Sequence, residues 1–94
     1  MIRSFSDRRT ERFYNGQRVR QFSGFADQAI RRLAVLDAAT ALQDLRALPS
    51  NRLEALRGNR DGQWSIRIND QWRICFRWDD EANQPYDVEI VDYH

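Results

Sequence analysis

The spacing of hydrophobic residues changes near the middle of the chain. Before residue 50, apolar side chains recur every three or four positions, a spacing that is typical of amphipathic helices. From residue 64 onward they alternate with polar side chains, as in strands with one buried face. The pattern therefore predicts helices first and a small sheet after them.

The pattern of residues in the first half of the chain predicts a short strand and two helices. Ile2–Phe5 is the predicted strand. Ser6 is the predicted N-cap of a helix that runs to about Tyr14, where Asn15-Gly16 stops it. Ser23 is the predicted N-cap of a second, longer helix, which Pro49 ends because proline cannot continue a helix. The buried stripe expected on this helix consists of Ala26, Ala29, Ile30, Leu33, Leu36, Ala41, Leu42 and Leu45.

The second half predicts a β-hairpin whose register follows from its alternation. Apolar residues occupy every second position in each strand: Trp64, Ile66, Ile68, and then Trp72, Ile74, Phe76, Trp78. A two-residue turn would mix the faces, whereas a three-residue loop at 69–71 keeps all of these side chains on one face. We therefore predict Ile66 opposite Ile74 and Arg67 opposite Arg73.

A third strand is predicted at Tyr86–Val91, after an acidic turn. The order β-α-α-β-β-β predicts an α+β fold, with both helices packed on the apolar face of a small antiparallel sheet. The other face would then present Arg67, Arg73 and Arg77. Like charges on neighbouring strands are unfavourable, so a bound anion would account for them. Pairing with Asp87 and Glu89 of the last strand would account for them equally well.

The composition indicates one domain, residues 1–94, with a single modest core. No apolar run approaches the ~20 residues that span a bilayer, and the first residues lack the features of a signal peptide. We therefore expect a cytoplasmic protein with no membrane partner. One cysteine and one histidine are too few for a structural zinc site, and no cofactor is expected.

The charges are unevenly distributed along the chain. All fifteen basic residues are arginines, and the net charge is only +1. Residues 1–25 have six arginines against two acids, residues 52–78 six against three, and residues 79–94 none against six. The preference for arginine is also what a GC-rich genome produces. The segregation of charge is the better indication of an anionic partner, since the guanidinium fork matches phosphate.

Several segments together carry a resemblance to a known family. They are Leu56–Arg67 with its Gly58-x-Arg60-x-Gly62-x-Trp64-Ser65-Ile66 core, Asn69–Phe76, and the closing Val91–His94. With Ile2–Phe5 and Leu33–Thr40, they resemble the HigB toxins of the RelE superfamily over nearly the whole chain. The GraT-like members, which share Asn51–Glu54, are the most similar that we recognise.

The resemblance implies a RelE-like microbial RNase fold and metal-independent cleavage of mRNA in the A site of the small ribosomal subunit. It also implies a HigA-like helix-turn-helix antitoxin, and binding of operator DNA only through the complex with that antitoxin. A non-catalytic inhibitor that binds the ribosome or RNA, or a co-repressor acting with the antitoxin, is the alternative.

The chemistry of RNA cleavage suggests roles for the closing residues. His94 is the one side chain that normally titrates near neutral pH. Asp92 could orient its ring, and Tyr93 could donate a hydrogen bond or stack on a base. Arg73 is the candidate phosphate clamp. Flanking phosphates would be held by Arg57, Arg60, Arg67 and Arg77.

Two features depart from this scheme. Better-known HigB toxins have a histidine where this chain has Glu54, which could act as a base or pair with Arg57 at helical spacing. We therefore expect slower cleavage than in the histidine-bearing relatives. Strict alternation would also place Asp92 and His94 on the helix side of the sheet, so we expect the last strand to bend or bulge after Ile90.

Overall fold

The computed structural model describes residues 1–92, which form three α-helices and four strands. The helices are α1 (Arg8–Tyr14), α2 (Ala26–Ala38) and α3 (Leu42–Arg46), with 3₁₀ turns at Arg20–Phe25, Pro49–Asn51 and Gly58–Arg60. The strands are β1 (Glu54–Ala55), β2 (Trp64–Arg67), β3 (Trp72–Asp79) and β4 (Gln84–Asp92). They pair antiparallel in the order β1-β2-β3-β4. The predicted α+β class is confirmed, and the two-residue strand β1 is an addition to the predicted order.

The register of the β2–β3 hairpin is the predicted one. Ile66 lies opposite Ile74 and Arg67 opposite Arg73. The backbone N–H of Ile68 donates to the carbonyl of Trp72 at 3.0 Å, which closes a three-residue loop. All the alternating apolar side chains of this hairpin therefore point to one face.

That face packs against the helices and forms the core. The buried apolar residues from the helical half are Ile2, Phe13, Val19, Phe22, Ala29, Leu33, Leu36, Ala39 and Leu45. Those from the sheet are Ile66, Ile68, Ile74, Phe76, Val88 and Ile90. Burial of this much apolar surface is the main source of the fold's stability.

The N-terminal segment joins the sheet differently from the prediction. Its expected strand at residues 2–5 is reduced to a single parallel bridge between Phe5 and Val88. The backbone N–H of Ser6 donates to the carbonyl of Val88, and the N–H of Val88 donates to the carbonyl of Ser4. The N–H of Ile90 donates to the buried hydroxyl of Thr10 at 3.0 Å. These contacts satisfy the outer edge of β4, which lacks a neighbouring strand among residues 1–92.

The helix caps also differ from the prediction. Asp7, rather than Ser6, caps α1, because its carboxylate accepts from the N–H of Thr10 at 3.1 Å. The hydroxyl of Ser23 donates to the carbonyl of Arg20 inside a 3₁₀ turn, and α2 begins only at Ala26. Ser6 therefore lies two residues before α1 begins, and Ser23 lies three residues before α2 begins.

The single long helix predicted up to Pro49 is wrong, because the chain breaks between α2 and α3. Ala39 is extended (φ −68°, ψ 133°), and the carboxylate of Asp44 accepts from the N–H groups of Thr40 and Ala41. A local side-chain acceptor thus competes with the helical hydrogen bonds. Ile30, which was expected in the buried stripe, is 54% exposed.

A bulge interrupts the pairing of β3 with β4. Cys75 lies opposite Glu89 and Arg77 opposite Tyr86, so two residues of β4 face one residue of β3. Asp87 takes up the extra length with a left-handed backbone (φ 51°). The bulge keeps Val88 in the core while Tyr86 lies opposite Arg77.

Candidate functional site

The sheet face opposite the helices carries a row of polar and titratable side chains. Glu54, Ser65, Cys75 and Glu89 lie directly opposite one another across the four strands. The next row contains Arg67 opposite Arg73. The segments on either side of β1 also reach this face, because the carbonyl of Arg52 contacts Arg73 and the side chain of Arg60 contacts Glu89. The face is therefore a shallow polar surface with arginines, rather than an open sheet.

Arg73 is held rigidly at the centre of this surface. Its Nε–H donates to the hydroxyl of Ser65 at 2.8 Å, and its Nη2 donates to the carbonyl of Arg52 at 2.6 Å. Only 11% of the side chain is exposed. Within residues 1–92, its Nη1 amine makes no hydrogen bond, so the held guanidinium keeps donors for an anion.

Glu54 lies beside this guanidinium. Its carboxylate is 3.9 Å from Nη2 of Arg73, and 56% of its side chain is exposed. Because Glu54 is on strand β1, the alternative of a helical-spacing pair with Arg57 is wrong. The structure thus brings together a fixed cation and an accessible carboxylate, the two kinds of group that a phosphodiester cleavage site needs.

The other arginines of the proposed RNA-binding set lie in the connection before β2 and in strands β2 and β3. Arg60 forms an ion pair with Glu89 at 2.8 Å and also donates to Gln63. Arg67 pairs with the fully exposed carboxylate of Asp70. Arg57 is exposed at the start of the third 3₁₀ turn.

The sheet-face arginines are therefore only partly neutralised by Asp87 and Glu89 of the last strand, which was the alternative to a bound anion. Asp87 approaches Arg77 at the long distance of 4.0 Å, with both side chains well exposed. Glu89 pairs with Arg60, which comes from the connection rather than from the sheet. Arg73 has neither of these two carboxylates as its partner and lies instead beside the carboxylate of Glu54.

Cys75 lies in the same polar row but is a packing residue. Its side chain is fully buried. Burial is the largest cause that raises the pKa of this thiol, to about 11. The thiol therefore stays protonated near neutral pH and is a poor nucleophile.

Asp92 is not brought to Arg73. It lies opposite Trp72 at the end of β4, where the side-chain amide of Gln71 donates to its carboxylate at 2.9 Å. The ladder is regular from Ile90 to Asp92, so the bend expected after Ile90 does not occur as far as Asp92, and the bulge lies earlier. Tyr93 and His94, the other two proposed catalytic residues, lie outside the described residues.

Two residues that support Arg73 were not among the predicted site residues. Ser65 could have been found from the register, because it is the diagonal neighbour of Arg73 on the same face and within reach of a long side chain. Arg52 uses its carbonyl, which a left-handed backbone (φ 46°) turns toward Arg73. No pattern in the sequence predicts a left-handed backbone at a residue other than glycine here.

Neither a metal cluster nor a membrane span occurs in the described part of the chain. Residues 1–92 contain no group of three or more His, Cys, Asp or Glu side chains placed to hold a metal ion. None of the helices there is long and apolar enough to cross a membrane.

Comparison with known proteins places this chain in a family. Residues 3–94 match the family described as RelE-like toxin of type II toxin-antitoxin system HigB. Toxin HigB-1 of Vibrio cholerae serotype O1 is 42% identical over 82 residues, which cover 85% of this chain and 86% of that protein. Endoribonuclease HigB of Proteus vulgaris is 34% identical over 68 residues, covering 72% and 71%.

A solved structure shares the fold. The YoeB-YefM complex from Staphylococcus aureus superposes with a TM-score of 0.58 at 18% identity, covering 100% of this chain and 98% of that chain. The resemblance to the HigB toxins is confirmed, and so is the α+β fold predicted from the order of the elements.

Proposed function

Because this chain belongs to the HigB family of RelE-like toxins, we propose that it is a ribosome-dependent endoribonuclease. It cleaves mRNA in the A site of the small ribosomal subunit, without a metal ion, and so inhibits translation in the cytoplasm. The observation that carries the proposal is the immobilised Arg73 guanidinium with the Glu54 carboxylate 3.9 Å away.

The proposed reaction is attack of the ribose 2′-hydroxyl on the adjacent phosphodiester. A base removes the 2′ proton, the new O–P bond forms, and the bond to the 5′-oxygen breaks. An acid then protonates that leaving oxygen, which gives a cyclic phosphate and a 5′-hydroxyl end. A positioned acid or base contributes roughly 10²–10⁴-fold, and fixed donors contribute as much.

Each proposed residue has a part in this scheme. Arg73 stabilises the negative charge that develops on the phosphate oxygens during attack. Its hydrogen bonds to Ser65 and Arg52 already fix its orientation, so it need not reorient during the reaction. Glu54, exposed beside it, is the candidate base, and His94 is the candidate acid. Asp92 and Tyr93 would support His94 or stack on a base. Phosphates on either side of the cleaved bond would contact Arg57, Arg60, Arg67 and Arg77.

The proposed partners follow from the family. A HigA-like helix-turn-helix antitoxin would bind and inactivate this protein, and the complex, rather than the toxin alone, would bind operator DNA. Endoribonuclease HigB of Proteus vulgaris carries the activity in its name. A second solved structure of similar fold is a heterotetrameric YoeB-YefM toxin-antitoxin complex from Staphylococcus aureus.

A reconstituted translation reaction tests the proposal. New mRNA 5′ ends are mapped with and without ribosomes, for the wild type, for His94→Ala and for Arg73→Gln. We expect cuts only with ribosomes, and loss of cutting in both variants. Arg8→Gln, an exposed residue of α1, removes the same charge as the matched control and should cut normally. If both variants still stop translation while the mRNA stays intact, the protein is a non-catalytic inhibitor and the proposal fails.

A further inference from the structure

A second arginine-rich surface lies between helix α2 and the end of strand β2. It is a cleft of about 410 Å³. Its walls are formed by Gln28, Arg31, Arg32, Val35, Arg67 and Ile68. Half of these residues carry a guanidinium and none carries a carboxylate.

The positive charge of this cleft is largely uncompensated. Arg32 donates from Nη1 to the side-chain oxygens of Asn51 at 2.7 Å and Ser50 at 3.3 Å, both of which are neutral. Arg31 is exposed and forms no ion pair within residues 1–92. Arg67 pairs with Asp70, whose side chain is 99% exposed and therefore strongly screened by solvent. Three cations held together in this way favour an anionic ligand.

The cleft is continuous with the candidate cleavage site. Arg67 lies directly opposite Arg73 in the β2–β3 ladder, and it also lines the cleft. Strand β1 pairs only with Trp64 and Ser65, so the edge of β2 beyond Ser65 has no strand beside it in residues 1–92. A chain of anionic groups that contacts Arg73 can therefore reach helix α2 through Arg67.

We propose that this cleft binds backbone phosphates of RNA, so that Arg31 and Arg32 extend the RNA-binding surface beyond the cleavage site. The inference rests on the proposed function for the presence of RNA at Arg73. Phosphodiesters fit better than an acidic protein segment, because guanidinium forks match phosphate oxygens and the cleft offers only two apolar side chains to anchor a peptide. The phosphates belong either to the mRNA or to ribosomal RNA.

The test compares Arg31→Glu with Arg12→Glu. Both arginines are exposed and helical, and neither forms an ion pair in the described part of the chain, so both variants should fold and both change the charge equally. Two binding assays separate the sources of phosphate: fluorescence anisotropy with a short, uncleavable 2′-O-methyl oligonucleotide, and cosedimentation with small ribosomal subunits free of mRNA. Each is repeated over a range of salt concentrations.

We expect Arg31→Glu to weaken binding to at least one of the two probes, whereas Arg12→Glu has a much smaller effect. The plot of log affinity against log salt concentration has a negative slope. For a single strand, each lost phosphate contact should make this slope less steep by about 0.7. A loss confined to the oligonucleotide assigns the cleft to mRNA, and a loss confined to the subunit assigns it to ribosomal RNA.

Three results would overturn the inference, and they are distinguishable. If Arg73→Gln weakens RNA binding but Arg31→Glu behaves as Arg12→Glu does, the cleft is no phosphate site although the proposed function stands. If Arg31→Glu binds RNA normally but loses the antitoxin, the cleft is a protein interface. If the wild type binds neither probe, the inference and the proposed function fail together.

Discussion

Replacing Arg73 with lysine keeps the charge at the candidate site but removes the planar fork. Arginine reaches the Ser65 hydroxyl at 2.8 Å and the Arg52 carbonyl at 2.6 Å with two different nitrogens. A single ammonium cannot make both contacts in the same directions, so at least one is lost. A hydrogen bond from a charged donor contributes about 1.5–3 kcal/mol. The pair with the exposed Glu54 adds at most about 1 kcal/mol, most of which lysine retains.

We therefore expect Arg73→Lys to lower the free energy of unfolding by about 2 kcal/mol. Ribosome-dependent cleavage should fall by about 10²-fold, as when one fixed donor to a developing anion is removed. Urea denaturation measures the first quantity. A time course of mRNA cleavage with translating ribosomes, at a temperature where the variant is fully folded, measures the second.

Ser65→Ala is the matched control for Arg73→Lys. It removes the acceptor of the Nε hydrogen bond but keeps the guanidinium, so its stability loss should be similar and its loss of cleavage much smaller. If the two variants lose cleavage equally, Arg73 acts only through the fold. If Arg73→Lys is folded and cleaves at the wild-type rate, the clamp role is refuted.

Three further predictions follow from individual side chains. Glu54→His should raise ribosome-dependent cleavage by up to ~10²-fold, because a neutral-pH proton carrier replaces a carboxylate, and an unchanged rate would contradict the role of this position. Cys75 should resist iodoacetamide at about pH 8 in the native protein and react once urea unfolds it, so rapid native labelling would contradict its burial. Hydrogen bonds from the backbone of Thr40, and also of Ala41, lower the pKa of Asp44 below its ordinary 3.8. The stability that this carboxylate confers is thus present above pH 3.8 and is lost as the pH falls through its lower folded value. The advantage of the wild type over Asp44→Asn in urea denaturation should then vanish in acid, and an advantage that persists at about pH 2 would refute this account.

The hairpin could be predicted to the residue because two independent constraints agree. Alternation fixes the face of each side chain, and the odd loop is the one length that keeps both apolar sets together. Asn69 reinforces the loop by accepting from the N–H groups of Gln71 and Trp72, both at 2.8 Å. The polar face and its central arginine followed directly from this register.

The break between α2 and α3 could not be predicted from the same kind of pattern. Apolar spacing continues through it, and Ala39 and Ala41 favour helix as strongly as any residue. The deciding contact is the Asp44 carboxylate folding back onto Thr40, and its strength depends on the local backbone. Exposure of Ile30 likewise depends on how α2 sits against α1 rather than on its own periodicity.

The position of Asp92 shows a different limit. Alternation after Ile90 correctly placed it on the helix side, and the resemblance to a family gave the reason to expect a bend. The bulge instead lies at Asp87, where it accommodates one extra residue between the Arg77 and Cys75 pairings. The irregularity expected after Ile90 is therefore absent as far as Asp92, and nothing in the sequence pattern indicated the bulge at Asp87.

The parallel contact of residues 4–6 with Val88 has a consequence for how the chain folds during synthesis. These backbone groups are separated by more than eighty positions, and the Thr10 hydroxyl is eighty positions from Ile90. They can meet only after β4 has emerged from the ribosome, and distant contacts of this kind slow folding. The nascent chain therefore has an unfinished sheet edge until β4 is available. While that strand is still missing, helices α1 and α2 lack part of the sheet surface they pack on, so the protein would be synthesised in a form without its completed fold.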